Sequence, residues 1–115
     1  MNDTTAAVAE TLEVLEVAPQ NFKLLMENDL VRVFDVTINP GEKVAMHANG
    51  PAVIYVFNDG RLKHTYPDGR IRDVVAVSGA LVWDNPEAHE TENTGETVIH
   101  SLKIELKQAC PNRIN

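Results

Sequence analysis

The sequence predicts an all-β fold, a barrel or a sandwich, from Asn21 onward. Short runs of β-branched and aliphatic residues recur there, and residues that favour turns separate them. One of these runs, AVIYVF at 52–57, is apolar without alternation, which is typical of an interior strand covered on both faces. We therefore expect one β-domain over residues 21–107.

The strands follow one another in a regular order. FKLLMEN and LVRVFDVTI come first, a break at Asn39-Pro40-Gly41 leads to KVAMHANG, and AVIYVF follows. Asn58-Asp59-Gly60 predicts a tight hairpin turn into RLKHTY, and Pro67-Asp68-Gly69 predicts another into RIRDVVAV. The runs ALVW, HETEN and TVIHSLKIELK complete the set.

Both ends of the chain lie outside this β pattern. At 115 residues the chain has room for one core, so we expect a single domain. We expect residues 1–20 to form an N-terminal arm, either flexible or helical, because the spacing of their apolar residues suits both a helix and an extended segment. Residues 108–115 predict a C-terminal tail that contains the single cysteine, Cys110.

Charge and composition exclude several classes of partner. The net charge is −7, with 17 acidic and 10 basic residues, and no cluster of lysine or arginine could neutralise a run of phosphates. Nucleic acid and anionic membranes are therefore not expected partners. The chain has no run of eighteen apolar residues, and one cysteine cannot form an internal disulfide. We expect a cytoplasmic protein.

Strand alternation places histidines on the inner face of the predicted fold. Successive side chains of a strand point to opposite faces, so charged residues that face solvent assign the phase of the whole strand. On this basis His64 and His89 face inward. In VIHSLKIEL we take Lys103 and Glu105 to mark the solvent face, which places His100 inward as well.

The loop at Thr94-Gly95 suggests a pairing between two of these histidines. A short loop there would place His89 directly across from His100. A bulge at Gly95 would shift that pairing by one residue. Both registers remain open at this point.

The first motif in the chain resembles that of the cupin superfamily. The family pattern is G-x5-H-x-H-x3 or x4-E-x6-G, and the chain offers Gly41, His47, Asn49, Val53 and Gly60 at the corresponding positions. Asparagine replaces the second histidine of the pattern, and valine replaces its glutamate. Two of the three metal-ligand positions in this motif are therefore departures.

The second motif also resembles the family pattern, G-x5-P-x-G-x2-H-x3-N. Gly79, His89 and Asn93 match it, with one residue fewer before the histidine and with Pro86 where the glycine would stand. The segments PGEKVAMHANGPAVIYVF, PDG, WDNPEAHETENTG and IELK are similar to those of small stand-alone cupins. The resemblance implies a double-stranded β-helix, or jelly roll.

The resemblance also implies a cavity. If Val53 takes the inward position of the family glutamate, Tyr55 and Phe57 point inward too, and His64 returns close to Tyr55. Trp83 stands before the second motif, at the expected rim, where it would line a pocket or fill the core. The candidate substrate-binding residues are Tyr55, Phe57, Trp83 and Asn49. The whole predicted polar pocket comprises His47, Asn49, Tyr55, His64, His89 and His100.

Two interpretations of this pocket remain. In the family, three histidines and a carboxylate bind zinc, iron, manganese or nickel. His47 and His89 stand at matching positions here, and Asn49, His64 or His100 would have to supply a third ligand. Alternatively, the imidazoles are neutral and hydrogen-bonded to neighbouring groups, as buried polar groups usually are.

Two functions follow from these interpretations. The first is a cupin that binds a small molecule in a polar cavity whose metal site is partly degenerate. The second is a divalent-metal-dependent enzyme that acts on a small organic acid or metabolite. Glu87 would serve there as a base or remain a solvated carboxylate, and no serine or cysteine nucleophile is indicated.

A homodimer is expected with either function. The residues Ile54 and Val56, predicted to face outward, and Tyr66 suggest a second buried surface. Either residues 1–20 cross to the partner subunit, or a helix over residues 6–16 packs on its own barrel.

Overall fold

A computed structural model describes residues 12–107, which form two antiparallel β-sheets and one short helix, α1 (Val14–Val17). Nine β-strands lie within these residues. Their bounds are β1 Phe22–Glu27, β2 Val31–Ile38, β3 Lys43–Asn49, β4 Ala52–Val56, β5 Gly60–Thr65, β6 Ile71–Ala76, β7 Leu81–Asp84, β8 Glu87–Asn93 and β9 Ile99–Leu106.

The two sheets face each other across the core. The five-stranded sheet has the order β1-β2-β9-β4-β7, and the four-stranded sheet has the order β3-β8-β5-β6. After β2 the chain crosses repeatedly from one sheet to the other, which winds it into a double-stranded β-helix. The all-β prediction is confirmed, with a short helix before the first strand.

One of the two predicted hairpins is present. Strands β5 and β6 pair in antiparallel register from Thr65 opposite Ile71, and the turn between them contains Gly69 at a φ of +90°. Glycine suits that turn because other residues rarely adopt a positive φ. The interior position predicted for β4 is also confirmed, since β4 pairs with β9 on one side and with β7 on the other.

The hairpin predicted at Asn58-Asp59-Gly60 is wrong, because this segment is a corner between the sheets. Strand β4 belongs to the five-stranded sheet and β5 to the four-stranded sheet. The Asp59 carboxylate accepts a hydrogen bond from the Ser78 amide at 2.8 Å and holds the corner. A Cβ atom on Gly60 would lie 2.3 Å from Cδ1 of Ile99, so the corner needs glycine for close packing. His64 consequently does not return to Tyr55.

The phase predicted for β9 is inverted. Ser101, Lys103 and Glu105 are buried on the inner face, and His100 alternates with them on the outer face. Lysine and glutamate are tolerated inside because each has a charged partner: Lys103 lies 3.5 Å from Asp84, and Glu105 lies 2.8 Å from Arg32. In this strand, therefore, the charged residues do not identify the face that is exposed to solvent.

The phase predicted for β4 is inverted as well. Ile54 and Val56 face the interior between the sheets, whereas Val53 and Tyr55 share the outer face. Val53 lies opposite Ile104 in the neighbouring strand β9, and Tyr55 lies opposite Leu102. The prediction of a second apolar surface named the wrong residues of this strand: Val53 and Tyr55 lie on the outer face, not Ile54 and Val56.

The connection from β8 to β9 is a second corner between the sheets. His89 therefore does not pair with His100; its cross-strand partner is His47 in β3. The fully buried Asn93 side chain holds this corner, since its amide nitrogen donates to the carbonyls of Ile38 at 2.9 Å and Thr97 at 2.8 Å.

The N-terminal helix packs against strands β1 and β3. Val14 and Ala18 are buried in the same core as Phe34 and Val44, and the Ala48 amide donates to the carbonyl of Leu12 at 2.8 Å. The described part of the N-terminal segment therefore packs on its own barrel. The rest of the predicted arm, residues 1–11, lies outside the described residues, as does the predicted tail at 108–115 with Cys110.

No helix within residues 12–107 is long and apolar enough to cross a membrane. The cytoplasmic location stays a prediction.

Candidate functional site

A cavity of about 200 Å³ lies between the two sheets. It reaches the edge strands β6 and β7, where Val75 and Val82 are exposed, so it opens between the free edges of the two sheets. Most of its wall is apolar, and a small set of polar side chains converges on it. These are His47, Asn49, His64, Arg72, Asp84, His89, Thr91, Ser101 and Lys103.

Three histidines from three strands of the four-stranded sheet meet in this cavity. His47 in β3 lies opposite His89 in β8, and their rings are perpendicular with centroids 5.0 Å apart. His64 in β5 stacks on His89 with a centroid distance of 3.9 Å and an angle of 15° between the ring planes. The fold therefore brings together imidazoles that are far apart in the sequence.

Hydrogen bonds define the tautomers of two of these imidazoles. Nδ1 of His47 donates to the carbonyl of Ala45 at 2.7 Å, and Nδ1 of His89 donates to the Glu87 carboxylate at 2.8 Å. In each neutral ring Nε2 is then unprotonated and able to accept. Nε2 of His89 already accepts from the Asn49 amide nitrogen at 3.0 Å.

The environment keeps the three imidazoles neutral. Burial lowers the pKa of His47, and burial followed by the neighbouring His89 lowers the pKa of His64 to about 3. The pKa of His89 is lowered to about 3, mainly by burial and then by the positive charges that His47 and Lys103 can carry. Desolvation disfavours the charged form of each ring, so the site contains neutral donors and acceptors at pH 7.

The cation inside the site is the ammonium of Lys103. Lys103 is 5% exposed, its Nζ donates to Oδ1 of Asn49, and it lies 3.5 Å from the Asp84 carboxylate. Burial lowers the pKa of Lys103 and raises that of Asp84, while the attraction within the pair opposes both shifts. A continuous polar chain thus runs from Asp84 through Lys103 and Asn49 to His89.

In the arrangement that the structure shows, the donors of this site are not positioned to hold a divalent metal ion. Within residues 12–107, no group of three or more histidine, cysteine, aspartate or glutamate side chains is arranged to hold one. The Asn49 oxygen is bound by Lys103, and Nε2 of His89 is bound by the Asn49 amide nitrogen. A metal ion would have to displace both bonds next to a positive charge, which repels it.

The structure separates the predicted site residues into two groups. His47, Asn49, His64 and His89 line the cavity together, and their roles as ligands or binding groups stay predictions. Glu87, predicted as a base or a solvated carboxylate, is a hydrogen-bond partner of His89.

Three predicted pocket residues lie on the opposite face of the five-stranded sheet. Tyr55 and Phe57 contact each other there with centroids 5.3 Å apart, and the Phe57 ring lies 4.6 Å from that of His100. His100 is bonded to the Asp35 carboxylate at 2.6 Å. Their placement in the pocket is therefore wrong, because the phases of β4 and β9 are the reverse of those predicted.

Trp83 lies at the margin between these two surfaces. It pairs with Val53 in the outer row of the sheet, yet it also contributes to the cavity lining because β7 is an edge strand. The indole is 53% exposed and donates to the Asn85 side chain at 2.9 Å. The rim position is the one that the sequence suggested.

Sequence reasoning missed three charged residues of the cavity, Arg72, Asp84 and Lys103. Arg72 could have been found, because it alternates in β6 with the apolar residues Val74 and Ala76. Lys103 carried no comparable signal, since a lysine in a strand usually faces solvent.

The lowered histidine pKa values predict a loss of stability in acid. The unfolded chain binds protons below pH 6.5, whereas folded His64 stays neutral down to about pH 3, so the free energy of unfolding falls as the pH falls through that window. We expect His64→Gln to reduce the slope by roughly 1 kcal/mol per pH unit between pH 6 and 4. Urea unfolding at several pH values measures the slope. Thr65→Gln, at the next position on the other face, should keep the wild-type slope, and an unchanged slope in His64→Gln would contradict the prediction.

Comparisons with known proteins agree with this architecture. No protein-family model and no curated protein sequence matches the chain. Among solved structures, a cupin domain from Bordetella pertussis matches 76% of this chain and 92% of its own length, with a TM-score of 0.69 and 20% sequence identity.

Two further solved structures are similar. An RmlC-like cupin family protein with a double-stranded β-helix fold from Methanocaldococcus jannaschii has a TM-score of 0.59 at 13% identity, covering 74% of this chain and 77% of its own. An uncharacterised conserved protein with a double-stranded β-helix domain from Klebsiella pneumoniae has a TM-score of 0.58 at 16% identity, covering 76% and 84%. At these identities the likeness concerns the fold, and the chain has the double-stranded β-helix fold of the cupin superfamily.

Proposed function

We propose that this protein binds a small molecule in the cavity between its sheets and uses the Lys103 ammonium, rather than a metal ion, as the cation of the site. The observation that carries the proposal is the bond from Lys103 to Asn49, which stands where the family motif has a histidine ligand. The cation and its partners are built into the chain, so the polar groups are held in place before a ligand binds.

The composition of the cavity supports a binding role. Ligand sites are typically concave and mostly apolar, with a few polar groups that orient the ligand. Here Ile54, Val56 and Leu62 supply apolar wall, while His47 and His64 supply polar atoms beside it. Nδ1 of His47 is held by the Ala45 carbonyl, so its Nε2 is the acceptor that the ring can offer to a ligand.

Filling the mouth of the cavity should block binding. We expect a panel of small organic acids, amides and alcohols to contain binders that shift the amide resonances of Leu62, Thr91 and Ser101 in ¹H–¹⁵N spectra. Val82→Trp places a larger side chain at the mouth, where Val82 is 45% exposed, and should weaken those binders by about tenfold or more. Val98→Trp, at an exposed position outside the cavity lining, is the matched control. Equal binding by wild type and Val82→Trp would contradict the proposal.

The second candidate function is that of a divalent-metal-dependent enzyme that acts on a small organic acid or metabolite. It is supported by the three imidazoles that meet in the cavity. His47 and His89 would hold the ion, with His64 as the third nitrogen ligand, and zinc, iron, manganese or nickel would suit them. Such an ion would act as a Lewis acid in the reaction. His100 is no longer a candidate ligand, because it lies on the outer face.

Removing Lys103 tests these two candidates against each other. We expect untagged wild-type protein to bind Co²⁺ weakly, and Lys103→Met to bind it at least about tenfold more tightly, because the substitution removes a charge and frees the Asn49 oxygen. Visible absorption of bound Co²⁺ measures the affinity. The double variant Lys103→Met with His47→Ala should not show the increase in Co²⁺ affinity. Stoichiometric metal in purified wild type, lost on His47→Ala, would instead favour the enzyme.

We also propose that the protein is a homodimer through the outer face of the five-stranded sheet. Two cross-strand rows on that face are largely apolar: Val33, Ile104, Val53 and Trp83 form one, and Leu102, Tyr55 and Leu81 form most of the other. Leu81 is 71% exposed and Trp83 is 53% exposed. A second copy would cover both rows, since a two-fold axis brings the same patch of each subunit together.

A charge in the centre of that face should separate the subunits. We expect wild type to sediment as a dimer and Leu81→Glu to shift it toward monomer, because the carboxylate would be desolvated at the interface. Sedimentation velocity gives the distribution of species. Ile71→Glu, at a site 59% exposed on the other sheet, is the matched control and should remain dimeric. A monomeric wild type would refute the dimer.

A further inference from the structure

Arg72 lies at the mouth of the cavity, at a position of β6 that belongs to the inner face of its sheet. In the β5–β6 pair it stands opposite His64, and both residues line the cavity. Cross-strand partners share one face of a sheet, so Arg72 belongs to the inner face although the residue itself is exposed at the sheet edge. An arginine in this position can contact both solvent and a ligand inside.

Arg72 has no carboxylate of its own in the described part of the chain. Two other arginines are paired there, Arg32 with Glu13 at 2.7 Å and Arg70 with Asp68 at 2.7 Å. None of the ion pairs within 4.0 Å between residues 12 and 107 includes Arg72. Its guanidinium therefore offers its hydrogen-bond donors to whatever enters the cavity.

The charged side chains at the cavity differ in whether they have a partner. Lys103 and Arg72 are positive and Asp84 is negative, while the three imidazoles are neutral. Asp84 lies 3.5 Å from Lys103 and Glu87 lies 2.8 Å from His89, so neither carboxylate forms an ion pair with Arg72. The Arg72 charge also contributes to the lowered pKa of both His64 and His89, so its field reaches the polar chain inside. The Arg72 guanidinium is thus a positively charged group at the cavity that is not ion-paired within the described residues, in a protein whose net charge is −7.

We propose that the ligand of this cavity is a small organic monocarboxylate, whose carboxylate binds the Arg72 guanidinium at the mouth and whose apolar part lies between the sheets. The inference rests on the proposed function and names its ligand class. A guanidinium matches a carboxylate with two parallel hydrogen bonds. The wall beyond the mouth, formed by Val74, Val36 and Ile54, suits an aliphatic or aromatic body.

Butyrate and its neutral isostere butyramide test the charge requirement. In ¹H–¹⁵N titrations we expect butyrate to shift cavity resonances of the wild type, and butyramide to bind at least about tenfold more weakly. Arg72→Gln should remove the preference for butyrate and keep the far-ultraviolet circular dichroism of the wild type. Arg61→Gln, on the other face of the same hairpin, should bind butyrate as the wild type does.

The outcomes separate this inference from the proposed function. Equal binding of butyrate and butyramide, or equal butyrate affinity in Arg72→Gln and wild type, would overturn the carboxylate class while leaving a cavity that binds small molecules. Binding of inorganic phosphate at Arg72 without binding of butyrate would overturn it too. If neither butyrate nor butyramide shifts a cavity resonance, the carboxylate class fails, and the Val82→Trp experiment judges the proposed function separately.

Discussion

The buried ammonium of Lys103 is the constraint on which the arrangement of the cavity depends. Removing an ammonium group from water costs several kcal/mol, so a lysine that is 5% exposed must be compensated by its neighbours. Asn49 in the four-stranded sheet and Asp84 in the five-stranded sheet provide that compensation. Because the partners come from both sheets, the bonds that stabilise the charge also connect the two halves of the barrel.

A second buried charge pair lies two residues further along the same strand. Glu105 alternates with Lys103 on the inner face of β9 and accepts from Arg32 at 2.8 Å and from the Gly50 amide at 3.1 Å. Arg32 in turn binds Glu13 at the start of the N-terminal helix. Strand β9 thus carries two charged side chains inside the barrel, and this leaves its apolar residues Leu102 and Ile104 on the outer face. The polar inner face and the apolar outer face of strand β9 therefore have the same cause.

Charged residues predict the outward face of a strand correctly only where their ion-pair partners also lie on the outer surface. His64 and His89 were placed correctly on the inner face, because the charged residues beside them do face outward: Lys63 and Glu92 pair across the outer surface of the four-stranded sheet at 3.4 Å. In β9 the charges pair inside, so the same rule placed His100 on the wrong face. An error of one position reverses every side chain of a strand.

The sequence by itself determined the strand and turn pattern, the all-β class and the two motifs that contain His47 and His89. These depend on local backbone preferences and on spacing, which a short segment carries within itself. Only the tertiary structure decided which strands are neighbours, which face of β4 and β9 is buried, and that Lys103 is the cation beside Asn49. Those features depend on contacts between residues distant in the chain, because a buried charge is tolerated only where its partner lies across the core.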